Sequence, residues 1–327
     1  MMASSGHITS ISHLITQSTR ENMKIILIHN PDAGGDNQPT GDQILHLIRR
    51  AGHSATCQTS TALDWEKALD ESADIIAVSG GDGTVGKVAK RMIGKPTPLA
   101  VLPMGTANNI ATALGLAKRP LDQLVAGWDS ARRMKFDVGA ASGPWGSRYF
   151  VEGLGLGLFT ETMMRLDARK NVDIAHHKVT EKKLTSVLEF MHIRLDGCVP
   201  MPLRLKLDER DLSGEYVLVE AMNIRSIGPN LCLASDADPS DGLLDVVLVS
   251  NDERERLKRY LSDRLEGKAE CAALNVQKGR HLHIECEHFP IHIDDDVQKK
   301  SGPPTHFSSA VVDVTLEAAA LEFLTPA

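Results

Sequence analysis

The chain has 327 residues, a formal net charge of −7, 42% apolar residues and 24% charged residues. That balance belongs to a globular protein with room for two domains, and the acidic excess speaks against a nucleic-acid binder, which needs a basic face. Five scattered cysteines (57, 198, 232, 271 and 286) without a C-x-x-C speak against a disulfide framework or zinc ribbon and for a reducing compartment. No apolar run approaches the ~20 residues of a membrane span, so the expected location is cytoplasmic, or peripheral on a membrane surface. Residues 1–22 are rich in Ser and Thr, lack the apolar core of a signal peptide, and read as a disordered extension.

Lys24–His29 (KIILIH) reads as a buried strand running into the Asn30-Pro31 turn. Thr40 and Gln43 form a capping box for a helix that carries Ile44, Leu47, Ile48 and Ala51 and stops at Gly52. A strand over Ser54–Thr59, a helix over about Asp64–Ser72 and a strand over Asp74–Val78 follow. Next comes GGDGTVGK, with a helix from Gly83 or Thr84 that shows Val85, Val88, Ala89 and Met92 at helical spacing. A strand over Leu99–Leu102 ends in PMGTANN and a short helix. This alternation predicts a parallel α/β domain over 23–133. After Met134 short β-rich runs dominate, interrupted by helices near Phe159–Arg194 and Asp252–Leu265. They predict an antiparallel β-sandwich over 134–315, with a C-terminal segment, 316–327, returning to the first domain.

Three phosphate-handling patterns compete for Val78–Met92. A dinucleotide fingerprint on Gly81, Gly83 and Gly86 requires an acid at the end of the next strand, and LAVLP has none. A P-loop over Gly81–Lys87 lacks its hydroxyl, because Val88 stands in its place. The third pattern is Gly80-Gly81-Asp82-Gly83-Thr84, whose helix-opening amides make an anion site with a carboxylate inside it.

NPDAGG, GGDGT and PMGTANNIATALG in this order, then FDVG, RYFVEGLGLG, DPSDGLLDVV and HIDDD, resemble the diacylglycerol kinase catalytic-domain family, which includes bacterial lipid kinases and sphingosine kinases. The resemblance runs from Met23 nearly to the C-terminus. It implies an α/β nucleotide-binding domain, like that of NAD kinases, and a β-sandwich with the active site between them. It implies transfer of the γ-phosphate of ATP to a lipid hydroxyl, with Mg²⁺, at a membrane surface in phospholipid biosynthesis. A homodimer is compatible with it.

By that resemblance Asn30, Pro31, Gly34, Thr59, Gly80, Gly81, Asp82, Gly83, Thr84, Gly105, Thr106 and Asn108 line or support the nucleotide site. Lys87, where the family has a carboxylate, is expected to meet phosphate one turn into its helix, with a solvated face beside Lys90 and Arg91 as the alternative. HIDDDV aligns with the family's acidic turn, so the base is Asp294 or Asp296, with Asp296 preferred. Adjacent carboxylates repel, which raises proton affinity and suits a base. In DPSDGLLD the resemblance assigns a structural Mg²⁺ to the Asp241 side chain and the carbonyls of Asp238 and Leu243, hard oxygens suited to that ion. Two positions depart from the family: Gly86-Lys87 replaces Asn-Glu, and Asn109 replaces Asp. Both remove an acid beside the nucleotide, which keeps a degenerate fold that binds without turnover open, beside a kinase of a soluble substrate. His281, His283, Glu285 and Glu287 read as the polar face of a strand. The basic run Arg165, Arg169, Lys170, Lys178, Lys182 and Lys183 reads as a solvated face, with membrane docking as the alternative.

Overall fold

The computed structural model describes residues 22–35, 37–170, 181–287, 290–298 and 309–327, without the side chains of 167–170, 181–183 and 309. Strands β1 (Lys24–His29), β2 (Ser54–Thr59), β3 (Ile75–Gly80) and β4 (Leu99–Pro103) pair in parallel in the order β2-β1-β3-β4. The three inner strands are buried almost throughout, whereas the edge strand β2 is partly exposed. This is why the inner strands read as continuous apolar runs rather than as alternation.

Helix α1 (Gly41–Arg50) starts at the expected capping box: Gln43 N donates to Thr40 Oγ1 at 3.3 Å, and the Gln43 side chain accepts from Thr40 N at 2.8 Å. The stretch expected as a helix over Asp64–Ser72 is a short 3₁₀ helix, Trp65–Asp70, in which Leu69 alone is buried. Without an apolar stripe to bury, it is not held as an α-helix. Helix α2 (Asp82–Met92) opens one residue earlier than expected and buries Val85, Val88, Ala89 and Met92 against the sheet. Two short helices follow, α3 (Asn109–Ala113) and α4 (Leu121–Ala126).

The second half begins with β5 (Arg132–Gly143), β6 (Gly146–Phe150) and β7 (Gly153–Gly157), then α5 (Leu158–Lys170) and α6 (Glu181–Leu195). There follow β8 (Met201–Leu207), β9 (Arg210–Asp211), β10 (Gly214–Met222), the hairpin β11 (Ser226–Ile227) and β12 (Leu231–Cys232), β13 (Leu244–Ser250) and α7 (Arg254–Leu265). The chain ends with β14 (Asn275–Gly279), β15 (Leu282–Glu287), β16 (Ile291–Ile293), β17 (Asp296–Val297) and β18 (Ser309–Thr325). These strands pair antiparallel in the order β16-β7-β10-β8-β15-β18. β8 alternates strictly, burying Met201, Leu203, Leu205 and Leu207 in the core between the β-layers. The outer face of β10 and β13 is covered by α5, α6 and α7 through Phe159, Leu188, Met191, Leu257 and Leu261. The protein is thus a parallel α/β domain joined to an antiparallel β-rich domain.

β18 connects the two. It pairs antiparallel with β5 from Asp313↔Ser142 to Thr325↔Arg132, and its Phe323 pairs in parallel with Leu99 of β4. Leu321, Phe323 and Leu324 are buried in the first core, where Phe323 meets the edge of Phe136 at 4.9 Å between ring centroids.

The cysteine expectation needs one correction. Cys232 and Cys271 form a disulfide across 39 residues of chain, while Cys57, Cys198 and Cys286 are free. The partners belong to β12 and to the segment between α7 and β14, which only the tertiary fold brings side by side.

Candidate active site

The carboxyl ends of β1, β3 and β4 face the β6–β7 loop and the β16–β17 turn across a cleft of about 510 Å³. Its floor is the glycine stretch. Gly81 caps α2, with Thr84 N and Val85 N donating to its carbonyl at 2.9 and 3.0 Å. Gly105, after β4, crosses Gly81 backbone to backbone: a Cβ on Gly105 would stand 2.5 Å from Gly81 Cα. Two glycines are needed there because neither loop has space for a side chain. Asn108, in the left-handed region at φ 53°, folds its loop onto itself by accepting from Gly105 N at 2.9 Å and donating to Gly105 O at 2.6 Å. Asn30 donates to Thr84 Oγ1 at 2.8 Å and ties the first loop to the third. The amino end of α2 opens into the cleft, where its dipole favours an anion.

Of the residues singled out in the sequence, Asn30, Gly34, Gly81, Asp82, Gly83, Thr84, Lys87, Gly105 and Thr106 line this cleft. Gly80, Pro31, Thr59 and Asn108 are outside its lining: Gly80 accepts from Met104 N at 2.9 Å, and Asn108 shapes the loop from behind. Lys87 is exposed at the cleft edge, with no ion-pair partner among the described residues.

The acidic turn divides its carboxylates among three environments. Asp294 faces the cleft, but its oxygens already accept from Val151 N, Glu152 N and Gly153 N, at 2.9 to 3.3 Å, and from Lys90 Nζ at 2.8 Å. Asp295 lines the cleft above Gly83, where an added Cβ would lie 2.9 Å from its Oδ2. The residue as a whole is exposed, yet loss of water at its carboxylate, and then the charges of Asp296 and Asp294, raise its pKa. Asp296, on β17, opens instead onto a neighbouring hollow shared with Lys90, Arg148 and Tyr149.

Several groups at the site escaped sequence reasoning. Lys90 loses water in the cleft, but Asp294, Asp295 and Asp296 outweigh that loss and raise its pKa. His292, 1% exposed, bonds Glu220 Oε2 through Nε2 at 2.8 Å and the Asp294 carbonyl through Nδ1 at 3.0 Å. Burial opposes its charge, but Glu220 prevails and raises its pKa, so the pair braces the acidic turn from below. Glu152 lines the wall, and desolvation followed by the charges of Asp82 and Asp294 holds its pKa well above the usual carboxylate range. Burial likewise raises Asp82, against the backbone amides of Ile110 and its neighbours. The opposite wall is apolar, built from Phe159, Met163, Leu166, Leu184, Val187 and Ile227.

Residues 24–141 match the family model of the diacylglycerol kinase catalytic domain, and residues 163–318 match the YegS C-terminal NAD kinase beta sandwich-like domain. The chain belongs to the diacylglycerol kinase catalytic-domain family. It is 28% identical over 235 residues to the diacylglycerol kinase of Mycobacterium tuberculosis, covering 70% of this chain and 72% of that one. It is 25% identical over 282 residues to the diacylglycerol kinase of Bacillus subtilis, covering 80% and 89%. In fold it resembles a diacylglycerol kinase structure from Bacillus anthracis, with a TM-score of 0.66 at 20% identity over 94% of this chain and 98% of that one. Yeast NADH kinase in complex with NADH shares the fold at a TM-score of 0.54 and 9% identity, over 94% and 84%.

The turn to which the family resemblance assigns a structural Mg²⁺ is filled differently. Asp241 accepts from Leu243 N at 2.9 Å and from Lys278 Nζ at 3.0 Å, and the Asp238 carbonyl accepts from Asp241 N at 3.3 Å. Lys278 also meets the Asp236 carbonyl at 3.1 Å and lies 3.5 Å from the buried Asp245, whose pKa burial pushes up to about 6. An ammonium already sits among these oxygens, so the donor set does not fit a resident ion. His283 Nδ1 on β15 meets Asp313 at 2.8 Å, and His281 Nε2, just before that strand, meets it at 3.1 Å, a paired polar surface. Of the basic run, Arg165 is exposed on α5; the side chains of Arg169, Lys170, Lys178, Lys182 and Lys183 lie outside the described residues, as do residues 1–21. No helix among the described residues is long and apolar enough to cross a membrane.

Proposed function

We propose that the protein transfers the γ-phosphate of ATP to the hydroxyl of a lipid such as diacylglycerol, working at a membrane surface. The observation that carries this reading is the pairing of two chemistries in one cleft. An amide-rich floor with Lys87 and Lys90 suits polyphosphate, and an apolar wall from Phe159 to Ile227 suits acyl chains. A soluble dinucleotide acceptor would leave that wall facing water.

Asp295 lies between the two halves with a raised pKa, and in this reading it is the base in preference to Asp294 or Asp296. It takes the hydroxyl proton while the lipid oxygen forms its bond to the γ-phosphorus and the bond to the β–γ bridging oxygen breaks, releasing ADP. Asp294 acts as an anchor, holding Lys90 and the β6–β7 loop in register with the glycine floor. Asn30, Gly34, Gly81–Thr84 and Thr106 cradle phosphate, while Gly80, Pro31, Thr59 and Asn108 shape the loops that present them. Mg²⁺ bound with the nucleotide would be held at Asp82 and would neutralise charge on the transferred group.

The test is turnover of ATP–Mg²⁺ with diacylglycerol vesicles by the parent, Asp294→Asn, Asp295→Asn and Asp296→Asn. Asp295→Asn should lower the rate by about two to four orders of magnitude with ATP affinity retained. Nucleotide binding without turnover in the parent would establish the binding-module reading instead, and phosphorylation of NADH alone would establish a soluble acceptor.

A further inference from the structure

Asn109 lies at the cleft wall, 2% exposed, and its hydrogen bonds fix which way its carboxamide faces. Nδ2 donates to Glu152 Oε2 at 3.2 Å and to the Gly228 carbonyl at 3.1 Å, so both amide protons are used. A flipped amide would set oxygen against two acceptors, so Oδ1 must face the other way, where it is buried without a hydrogen-bond partner. The adjoining Ile110 N donates to Asp82 Oδ1 at 2.9 Å, which holds the Asp82 carboxylate beside Asn109. Glu152 itself is pinned through its backbone: its N–H donates to Asp294 at 2.9 Å and its carbonyl accepts from Asn223 N at 2.9 Å.

Asp82, Asn109 and Glu152 thus line the cleft beside the phosphate-type floor, and two of them bring carboxylates. Among the described residues Glu152 forms no ion pair, and Lys90, which lines the same cleft, is bound to Asp294. An orphaned buried oxygen calls for a ligand, and a cation would offset the two buried carboxylates beside it. Among the described residues no set of three or more His, Cys, Asp or Glu is arranged to hold an ion. Two carboxylates beside a phosphate-type floor suit a cation that takes its remaining ligands from elsewhere, as Mg²⁺ does from phosphate oxygens and water.

We propose that Glu152 is a metal-binding residue, sharing the nucleotide's divalent cation with Asp82 and the Asn109 carboxamide oxygen. The assignment rests on the kinase reading above and adds to it the residue that restores the missing charge. Where the family resemblance has an acid at position 109, this chain carries the amide there and the acid across the hydrogen bond at 152.

Full-length protein would be titrated with Mn²⁺ in the presence of a non-hydrolysable ATP analogue, with free Mn²⁺ followed by electron paramagnetic resonance. Glu152→Gln should weaken Mn²⁺ binding by at least about tenfold. Adding Asn109→Asp to Glu152→Gln, which moves the carboxylate back across the pair, should recover most of that loss; a merely structural Glu152 would not be rescued in this way. If Glu152→Gln does not fold, Glu152→Asp, which retracts the carboxylate, is read by the same measure. Mn²⁺ affinity in the single variant within roughly twofold of the parent, or a double variant as weak as the single, overturns the assignment and leaves the kinase reading standing. A parent that binds no nucleotide overturns both.

Discussion

Replacing Gly105 by alanine tests whether the crossing of two glycine loops sets the nucleotide site. The added Cβ would stand 2.5 Å from Gly81 Cα and 2.9 Å from Asn108 Oδ1. Carbon atoms in contact rest at about 3.5–4.0 Å, so the loops must part by about 1 Å. Neither neighbour yields easily. Gly81 is backbone, held by the first amides of α2, and the Asn108 carboxamide is bound at both ends to Gly105 itself. Gly105 is outside the left-handed region, so the effect is steric rather than conformational. Overpacking of this kind costs about 1–3 kcal/mol. A displacement of ~1 Å in groups that position phosphate should weaken binding of an ATP analogue by about ten- to a hundredfold. Calorimetry and thermal melting read the two effects separately. Gly35→Ala is the control, because its Cβ would meet nothing within 4 Å. A Gly105→Ala protein that melts and binds like Gly35→Ala would refute the close-approach argument.

Lys87→Glu reverses a cleft-edge charge that has no described ion-pair partner, and should weaken ATP-analogue binding by about tenfold and steepen its Mg²⁺ requirement; unchanged calorimetric affinity would leave Lys87 a solvated surface group. Lys278→Met strips Asp241 and buried Asp245 of their counter-charge and should destabilise the fold by about 1 kcal/mol in denaturant melts, because water screens the partly exposed ammonium. In the parent, Mg²⁺ should leave the melting temperature unchanged, whereas a Mg²⁺-dependent rise that disappears in Asp241→Ala would return the ion to that turn. His292 has a raised pKa in the fold, so its bond to Glu220 stabilises fully below the unfolded value near 6.5 and fades as pH rises through the folded one. The parent should therefore lose stability from neutral toward alkaline pH, and His292→Gln should be less stable at pH 6 and flatter with pH; parallel melting profiles would remove the ion pair.

The parallel strands were legible because strands buried on both faces write continuous apolar runs, and α1 because its capping box and stop are contained in its own residues. The glycine stretch was legible as a strand-to-helix turn for the same reason: such a turn is encoded within a few positions. The 3₁₀ helix at Trp65–Asp70 was misread because local propensity there is not backed by an apolar stripe. What the sequence could not display were pairings across distance. Lys90 meets Asp294 over 204 positions, Asn109 meets Glu152 over 43, and Cys232 meets Cys271 over 39. Asp295 came to the cleft, and Asp296 to the hollow beside it, because the β16–β17 turn is hung from the amides of Val151 to Gly153 and braced by His292. Periodicity records only whether a residue is buried; which charge it faces there is decided by the chain that folds over it.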